Sequence, residues 1–375
     1  MIDRAYLTLL IGPFIPVPAA QEVVDALSSV QITVASDQRS GFQLVFAMSR
    51  TSLLSRVLVP TGLFDPGVRV IVIMTVNNVP NVLMDGFIVR QEMTPSNDLG
   101  KATLTVTGED VSLMMSLTEI KMMYPVLSEN LIVTTILAKY LMYGIVPLAL
   151  PPLFPNITDP LEQIPAQSGT DLDYINLLAK RVGYVFYMLP GPLPGANIAY
   201  FGPEPRIGIP QSALNINMDA FSNVESLSFS IDGSSREQLA VAIQEPNTGL
   251  TIPIPIPDIS PLSPPLALKQ APALRYKYLN DSAKLSPLQA ISKALGIITK
   301  SADAVTASGQ LDVLRYGRVL QARQLVGVRG AGLAFDGLYF VKSVTHNINA
   351  RTGEYKQSFQ LARNGTISLT PAVVA

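Results

Sequence analysis

The 375-residue sequence has no cysteine, no tryptophan and a single histidine, His346. Without Cys there is no disulfide, no thiolate nucleophile and no Cys-ligated zinc or iron–sulfur site. One His leaves no multi-histidine metal site. Charge is scarce as well: Asp, Glu, Lys and Arg make up 15% of the chain, against about 25% in an average globular protein. Lys and Arg total 27 and Asp and Glu 28, so the basic excess that phosphate backbones require is missing. No charge-free apolar run free of Pro reaches the ~18 residues of a membrane span. Tyr6–Pro18 loosely resembles a signal peptide, but Asp3 precedes it and Gly12, Pro13, Pro16 and Pro18 break it. The expectation is a chain made in the cytoplasm, with no cofactor, no specific nucleic-acid partner and no membrane insertion. What the chain has in quantity is apolar surface and proline, 48% and 30 residues respectively. A chain that covers itself so poorly with charge is expected to meet other protein, and its length predicts two or three domains.

Periodicity divides the chain. Val30–Ser36, Phe42–Met48, Val68–Val76, Phe87–Val89 and Lys101–Thr107 read as strands, with turns at Asn77-Asn78 and Asp85-Gly86. Ala102, Leu104 and Val106 alternate with Thr103, Thr105 and Thr107, the period of two that gives a sheet one buried and one polar face. Asp110–Leu117 and Leu131–Met142 carry helical spacing, and Thr170 with Asp173 forms a capping box for a helix ending at Gly183. Pro246–Pro272 contains eight prolines, among them Ile252-Pro253-Ile254-Pro255-Ile256-Pro257. Proline cannot donate to a ladder, so this segment is expected to be extended and unsuited to a central strand. Ser286-Pro287-Leu288-Gln289 opens a second capped helix to about Lys300, and Leu311–Arg363 returns to strands. The expected division is a first tube-like β-barrel over 1–115, an α+β domain over 116–214 and the start of a second barrel over 215–240. A Pro-rich strap plus helix follows over 241–305, and the remainder of the second barrel over 306–375.

An internal repeat is visible. Arg69–Val106 runs as a strand from Arg69, a loop, Asp85-Gly86-Phe87, a polar turn and an alternating strand. Arg323–Leu361 runs the same way through Asp336-Gly337-Leu338. Used twice per chain, such a module makes a trimer into a pseudo-hexamer, a geometry suited to joining a six-fold ring to a three-fold object.

Three segments resemble a known family. Gly169–Tyr187 (GTDLDYINLLAKRVGYVFY) is similar to the "D-x-x-F/Y-I-x-x-L-A-x-R-x-G-Y-x-F" segment of the phage late-control D proteins. These are the baseplate hubs of contractile tails and are similar to the N-terminal part of VgrG-type spikes. Asp336–His346 with Tyr355 and Phe359–Arg363 resembles the family's ending, and Gly86, Ile88, Leu104, Val106 and Asp110 its first barrel. The resemblance covers roughly Val30 to Arg363. It implies a mainly β fold with α+β insertions, two tube-like antiparallel β-barrel modules per chain forming a pseudo-six-fold ring in a homotrimer. The implied partners are further copies of the chain, the tail tube protein, a spike protein and other baseplate proteins, in a phage tail or a contractile injection system. The sequence departs from VgrG in lacking its oligosaccharide-binding-like domain and β-helix needle.

Arg315, Arg318, Arg323 and Arg329 are the only basic concentration, and Arg323 and Arg329 share a face if their strand is unbroken. They are candidates for a lumen or interface, with a nucleic-acid path as the sharper alternative and surface ion pairing as the plainer one. Ile252, Pro253, Ile254, Pro255, Ile256 and Pro257 are a candidate inter-subunit strap, or else an exposed linker. His346 lacks the oriented partners of a catalytic base. Asp171 and Asp173, two apart on a helix, do not face each other as glycoside hydrolysis needs, and capping and the helix dipole account for both. The expectation is a non-enzymatic hub, with a wall-degrading enzyme on a hub-like scaffold as the alternative and a carbohydrate-binding β-protein, disfavoured by the lack of Trp, as a third.

Overall fold

The computed structural model describes residues 5–370 apart from 37, 50–51, 99–100, 154–164, 235, 245–250, 256–263, 273, 279–293, 295–296 and 298–302. Seven strands open the chain: β1 (Ala5–Gly12), β2 (Val17–Pro18), β3 (Leu27–Ala35), β4 (Gly41–Met48), β5 (Arg69–Val76), β6 (Val79–Thr94) and β7 (Ala102–Asp110), with helix α1 (Gln21–Ala26) before β3. An α+β unit follows, comprising β8 (Glu119–Met123), α2 (Glu129–Ala138), β9 (Ile145–Ala149), β10 (Ala166–Thr170), α3 (Asp171–Val182), β11 (Val185–Pro190) and β12 (Asn197–Gly202). After β13 (Gln211–Asn215) and β14 (Ser226–Ile231) come β15 (Glu237–Gln244), β16 (Thr251–Pro255), β17 (Ala267–Gln270) and β18 (Arg275–Tyr278). The chain closes with β19 (Val305–Asp312), α4 (Val313–Tyr316), β20 (Leu325–Arg329), β21 (Gly337–Asn349), β22 (Glu354–Arg363) and β23 (Gly365–Ser368).

The repeat is a repeat of topology. Strands β5-β6-β7-β4-β3 lie side by side in that order, and β20-β21-β22-β19-β14 repeat it, all antiparallel. In each half the long strand (β6 or β21) pairs one neighbour along its first part and another along its second. Each also bulges by one residue, at Val89 and at Lys342.

The two expected barrels are not separate closed bodies. β3 pairs antiparallel with the second part of β21, Ser29–Ala35 against Asn349–Ser343, so both halves merge into one 13-stranded sheet with no closed barrel among the described residues. One apolar cluster spans both, including Leu44, Phe46 and Leu104 from the first half and Val326, Val341 and Phe359 from the second. Alternation explains this, because Phe42, Leu44, Phe46 and Met48 of β4 are buried while the residues between them are not.

Asp85-Gly86 is not a turn. It lies inside β6, where Asp85 is buried and its carboxylate accepts two hydrogen bonds from Arg69, each 2.7 Å. A side chain at Gly86 would collide with the Glu109 carbonyl oxygen of β7, which explains a turn-forming dipeptide in mid-strand. Asp336-Gly337 does begin its strand from a turn, with Gly337 at φ +110°. The Thr170 hydroxyl accepts the Asp173 N–H at 3.1 Å and Gly183 ends α3 in the left-handed conformation, both as the sequence predicts. Leu172, Ile175, Leu178 and Val182 of α3 face a second core with α2 and β12. β16 holds Ile252 to Pro255 at the edge of a sheet ordered β16-β15-β18, a position that tolerates proline. Ile256, Pro257 and most of the expected 286–300 helix lie outside the described residues.

His346 sits in β21 opposite Ile32 of β3, at the junction of the halves, and is buried. Its Nδ1 is 2.7 Å from the Tyr355 hydroxyl and 3.3 Å from Gln357 Nε2, an arrangement that suits an Nδ1 accepting both. Burial pushes its pKa from 6.5 down to about 3. The unfolded chain therefore takes up a proton below about pH 6.5 that the folded chain refuses, and the stabilising effect present above that pH is lost on acidification. Over this window the His346 contribution falls by about 1.4 kcal/mol per pH unit. Chemical unfolding from pH 7 to 4 is expected to show a shallower loss for His346→Gln than for the native sequence; equal slopes would remove His346 as the cause.

Candidate functional site

The sheet presents one polar, largely uncharged face and, among the described residues, several strands with an unpaired side: β2, β13, β14 and the far half of β6. Directly opposed residues run across it: Ser226, Gln310, Ser358, Thr345 and Thr33, from β14 through β19, β22 and β21 to β3. The Thr33 and Thr345 hydroxyls are 3.1 Å apart, and Gln31 Nε2 donates to Asn347 Oδ1 at 3.3 Å. Ser29, Gln31, Gln43, Asn347 and Lys356 help line a depression of about 370 Å³ on this face. Such a surface offers mainly hydroxyl and amide contacts.

One such edge is β14, which pairs only β19 among the described residues. Another is the far half of β6, where Arg90–Thr94 pairs β7 on one side and nothing on the other among the described residues. Met93 and Ile231, on these edges, are 56% and 51% exposed. The alternating Ser226-Leu227-Ser228-Phe229-Ser230-Ile231 carried the signal for the polar face; nothing local marks which strands stay unpaired.

The four arginines do not share one surface. Arg323 precedes β20 in a left-handed conformation, φ 66°, so it does not continue the strand of Arg329, and it is buried. Its guanidinium donates to the Ala35 carbonyl at 2.6 and 3.2 Å and to the Met188 carbonyl at 2.7 Å, and lies 4.0 Å from the centre of the Tyr187 ring. It therefore joins both halves of the sheet to the α+β unit and lines no lumen. Burial lowers its pKa to about 10, against the opposing pull of Tyr187 and Asp110, so it stays charged at neutral pH. Arg69 has the corresponding role at the start of β5, donating to Asp85 and to the Tyr143 and Gly195 carbonyls. Arg315 and Arg318 are exposed, and Arg329 is half-buried on β20.

A second buried ionic group was not legible in the sequence, because Glu204 and Arg206 lie far along the chain from Asp303 and Lys342. Arg206 bonds Glu204 at 2.7 Å and Asp303 at 2.6 Å, and the ammonium of Lys342 reaches Glu204 and Asp303, each at 3.0 Å. Two cations and two carboxylates balance. Although burial alone would raise the Asp303 pKa, Arg206 and Lys342 outweigh it and hold the carboxyl below its ordinary range.

Asp171 does more than charge the first turn of α3. It is fully buried and accepts hydrogen bonds from Lys139, Tyr140 and Gln167, at 3.0, 2.8 and 2.7 Å. Asp173 is taken up by Thr170. No group of three or more potential metal ligands occurs among the described residues, and no helix among them is long and apolar enough to cross a membrane.

No protein-family model and no curated protein sequence matches the chain. Solved structures do match it in shape. The tail protein from Neisseria meningitidis MC58 is similar at 14% identity, over 96% of this chain and 97% of that one, with a TM-score of 0.63. The 43 kDa tail protein of prophage MuSo2 from Shewanella oneidensis is similar at 12% identity, over 96% and 98%, with a TM-score of 0.64. The E. coli c3393 protein, a type VI secretion component with structural similarity to the T4 tail proteins gp27 and gp5, is similar at 12% identity, over 93% and 77%, with a TM-score of 0.55. The chain shares its fold with these phage tail proteins and with the type VI secretion component.

Removing Arg323 leaves the Ala35 and Met188 carbonyls unpaired in the interior, at about 1–3 kcal/mol each. Arg323→Ala is expected to destabilise the protein by about 3–5 kcal/mol, and Arg315→Ala and Arg318→Ala by no more than about 0.5 kcal/mol. Urea unfolding of the three variants measures this, and equal small losses would contradict the assignment.

Proposed function

We propose that this protein is a structural hub of a phage tail or contractile injection particle, acting by symmetry matching and not by catalysis. The carrying observation is the duplicated five-strand topology within one continuous sheet. A single chain already presents two equivalent modules side by side, so a homotrimer presents six around one axis. Such a ring meets a hexameric tail tube on one side and a three-fold spike on the other, with further baseplate proteins around it. The fold shared with tail proteins and a type VI secretion component supports this reading.

The polar face rich in Ser, Thr, Asn and Gln lines the channel of that ring, in place of the arginines expected there. A neutral lining lets material pass without holding it. The low charge of the chain then has a purpose in the broad contacts between subunits and with the tube, as obligate interfaces are poor in charge. The buried Asp171 and the capping Asp173 are both engaged in structure, so neither favours the wall-degrading alternative.

Light scattering on the purified protein is expected to give three times the 40.4 kDa chain mass. A monodisperse monomer at every concentration, with no affinity for tube or spike proteins, would refute the hub.

A further inference from the structure

We infer that the cleft between helix α3 and the sheet is a docking groove for an extended peptide of another protein, one that carries a basic, an apolar and an acidic residue at alternate positions. The inference concerns a single chain and does not depend on the trimeric hub reading.

The cleft has a volume of about 600 Å³, within the roughly 300–1,000 Å³ of ligand sites. α3 and β11 line it from one side, and Ser36, Gln38 and Arg39 of the β3–β4 turn and Lys342 of the β21 bulge line it from the other.

The backbone of β11 offers unpaired groups to this cleft. β11 pairs only β12 among the described residues, so its other side is an edge. Opposed residues of an antiparallel pair alternate between exchanging both hydrogen bonds and exchanging none. The Gly191 N–H donates to the Ala196 carbonyl just beyond the ladder. By that alternation Leu189, Tyr187 and Val185 are bonded to β12, and the N–H and C=O of Phe186 and Met188 point away from it. The Met188 carbonyl accepts from Arg323. The Met188 N–H and both backbone groups of Phe186 have no partner among the described residues, although Met188 is buried. A buried N–H without a partner is rare in a folded protein, and an extended chain laid along β11 supplies the acceptor.

The face of α3 that lines the cleft adds the side-chain code. Asp173, Asn176, Leu177 and Lys180 follow one another at the spacing of a single helix face. Asp173 and Lys180 stand about 10 Å apart along the axis, at roughly 1.5 Å per residue, with the exposed Leu177 between them. Lys180 makes no ion pair among the described residues, whereas the other cations lining the cleft are engaged, Arg39 with Glu109 and Lys342 with Glu204 and Asp303. The Asp173 carboxylate accepts from the Thr170 hydroxyl and has further acceptor capacity. One unpaired cation is too little for a phosphate backbone, but an anionic and a cationic end around an apolar centre match a peptide of the opposite pattern.

The direction follows from the connection. α3 leads into β11 within two residues and packs against it, so the chain reverses there and Lys180 lies toward the start of β11. A peptide antiparallel to β11 therefore meets Asp173 first and Lys180 last. Side chains on one side of a strand recur at every second residue, about 7 Å apart, which sets the basic, apolar and acidic residues at the first, third and fifth positions. The roughly 14 Å from first to fifth exceeds the helix spacing by a few ångströms, within the reach of long charged side chains.

Fluorescence anisotropy on the full chain tests the groove with two labelled probes, acetyl-Gly-Lys-Thr-Val-Thr-Glu-Gly-amide and its charge-reversed form acetyl-Gly-Glu-Thr-Val-Thr-Lys-Gly-amide. The first is expected to bind saturably and about tenfold more tightly than the second. Lys180→Glu is expected to weaken the first probe about tenfold, and Asp173→Lys combined with Lys180→Glu to reverse the preference, with unchanged circular dichroism. A loss of structure weakens both probes and reverses nothing. No saturable binding of either probe up to roughly 1 mM, or a preference that the folded double variant leaves unreversed, would overturn the groove. Should the double variant unfold, the single variant decides, an unchanged affinity for the first probe overturning the groove.

Discussion

The ladder between β3 and β21 is the constraint on which the rest of the structure depends. Without it the chain would be two incomplete sheets, each with its own unpaired edges and a half-exposed core. With it, Val30 and Ile32 pack beside Ile348, Val344 and the neutral His346, and the apolar interiors become one cluster. The two strands are about 310 residues apart in sequence, so the pairing must offset a large loop-closure entropy before any local contact helps. The buried imidazole adds a condition, since the junction is compatible only with its uncharged form.

Buried cations hold the α+β unit against this sheet. Arg69 and Arg323 each stand at the start of an equivalent strand and donate to carbonyls of the α+β unit, and Arg363 caps the carbonyls of Ala334, Asp336 and Gly365 in the second half. A guanidinium suits this work because its several donors are fixed in a plane and satisfy carbonyls from different segments together. Composition and architecture connect here: in a chain with 15% charged residues, several of the charges lie inside, and the polar face is left to hydroxyls and amides.

The same scarcity bears on the proposed role as a building block. On that proposal a neutral sheet face would let material pass without holding it, and Met93 and Ile231, exposed at strand edges, would be open to further protein. An unblunted edge such as β14 is a hazard in an isolated chain, because its unpaired N–H and C=O groups invite another strand.

Much was legible in the sequence because it is local. The alternation at Ala102–Thr107 and the capped helix at Thr170–Gly183 follow from side-chain period and capping chemistry, whereas the Ile-Pro run, expected as a strap or linker, contributes 252–255 to a paired strand, β16. The repeat was legible too, although its Asp-Gly landmark is a turn in one copy and, in the other, a buried ion pair beside a close backbone approach. The shared face expected of Arg323 and Arg329 failed because one left-handed residue breaks the strand and turns Arg323 inward. By itself the sequence determined which residues alternate, cap and repeat, since those depend on neighbours a few positions away. Only the tertiary structure decided which edges pair and which stay open, because hydrogen-bond partners in a sheet come from anywhere in the chain and are settled by the packing of the whole.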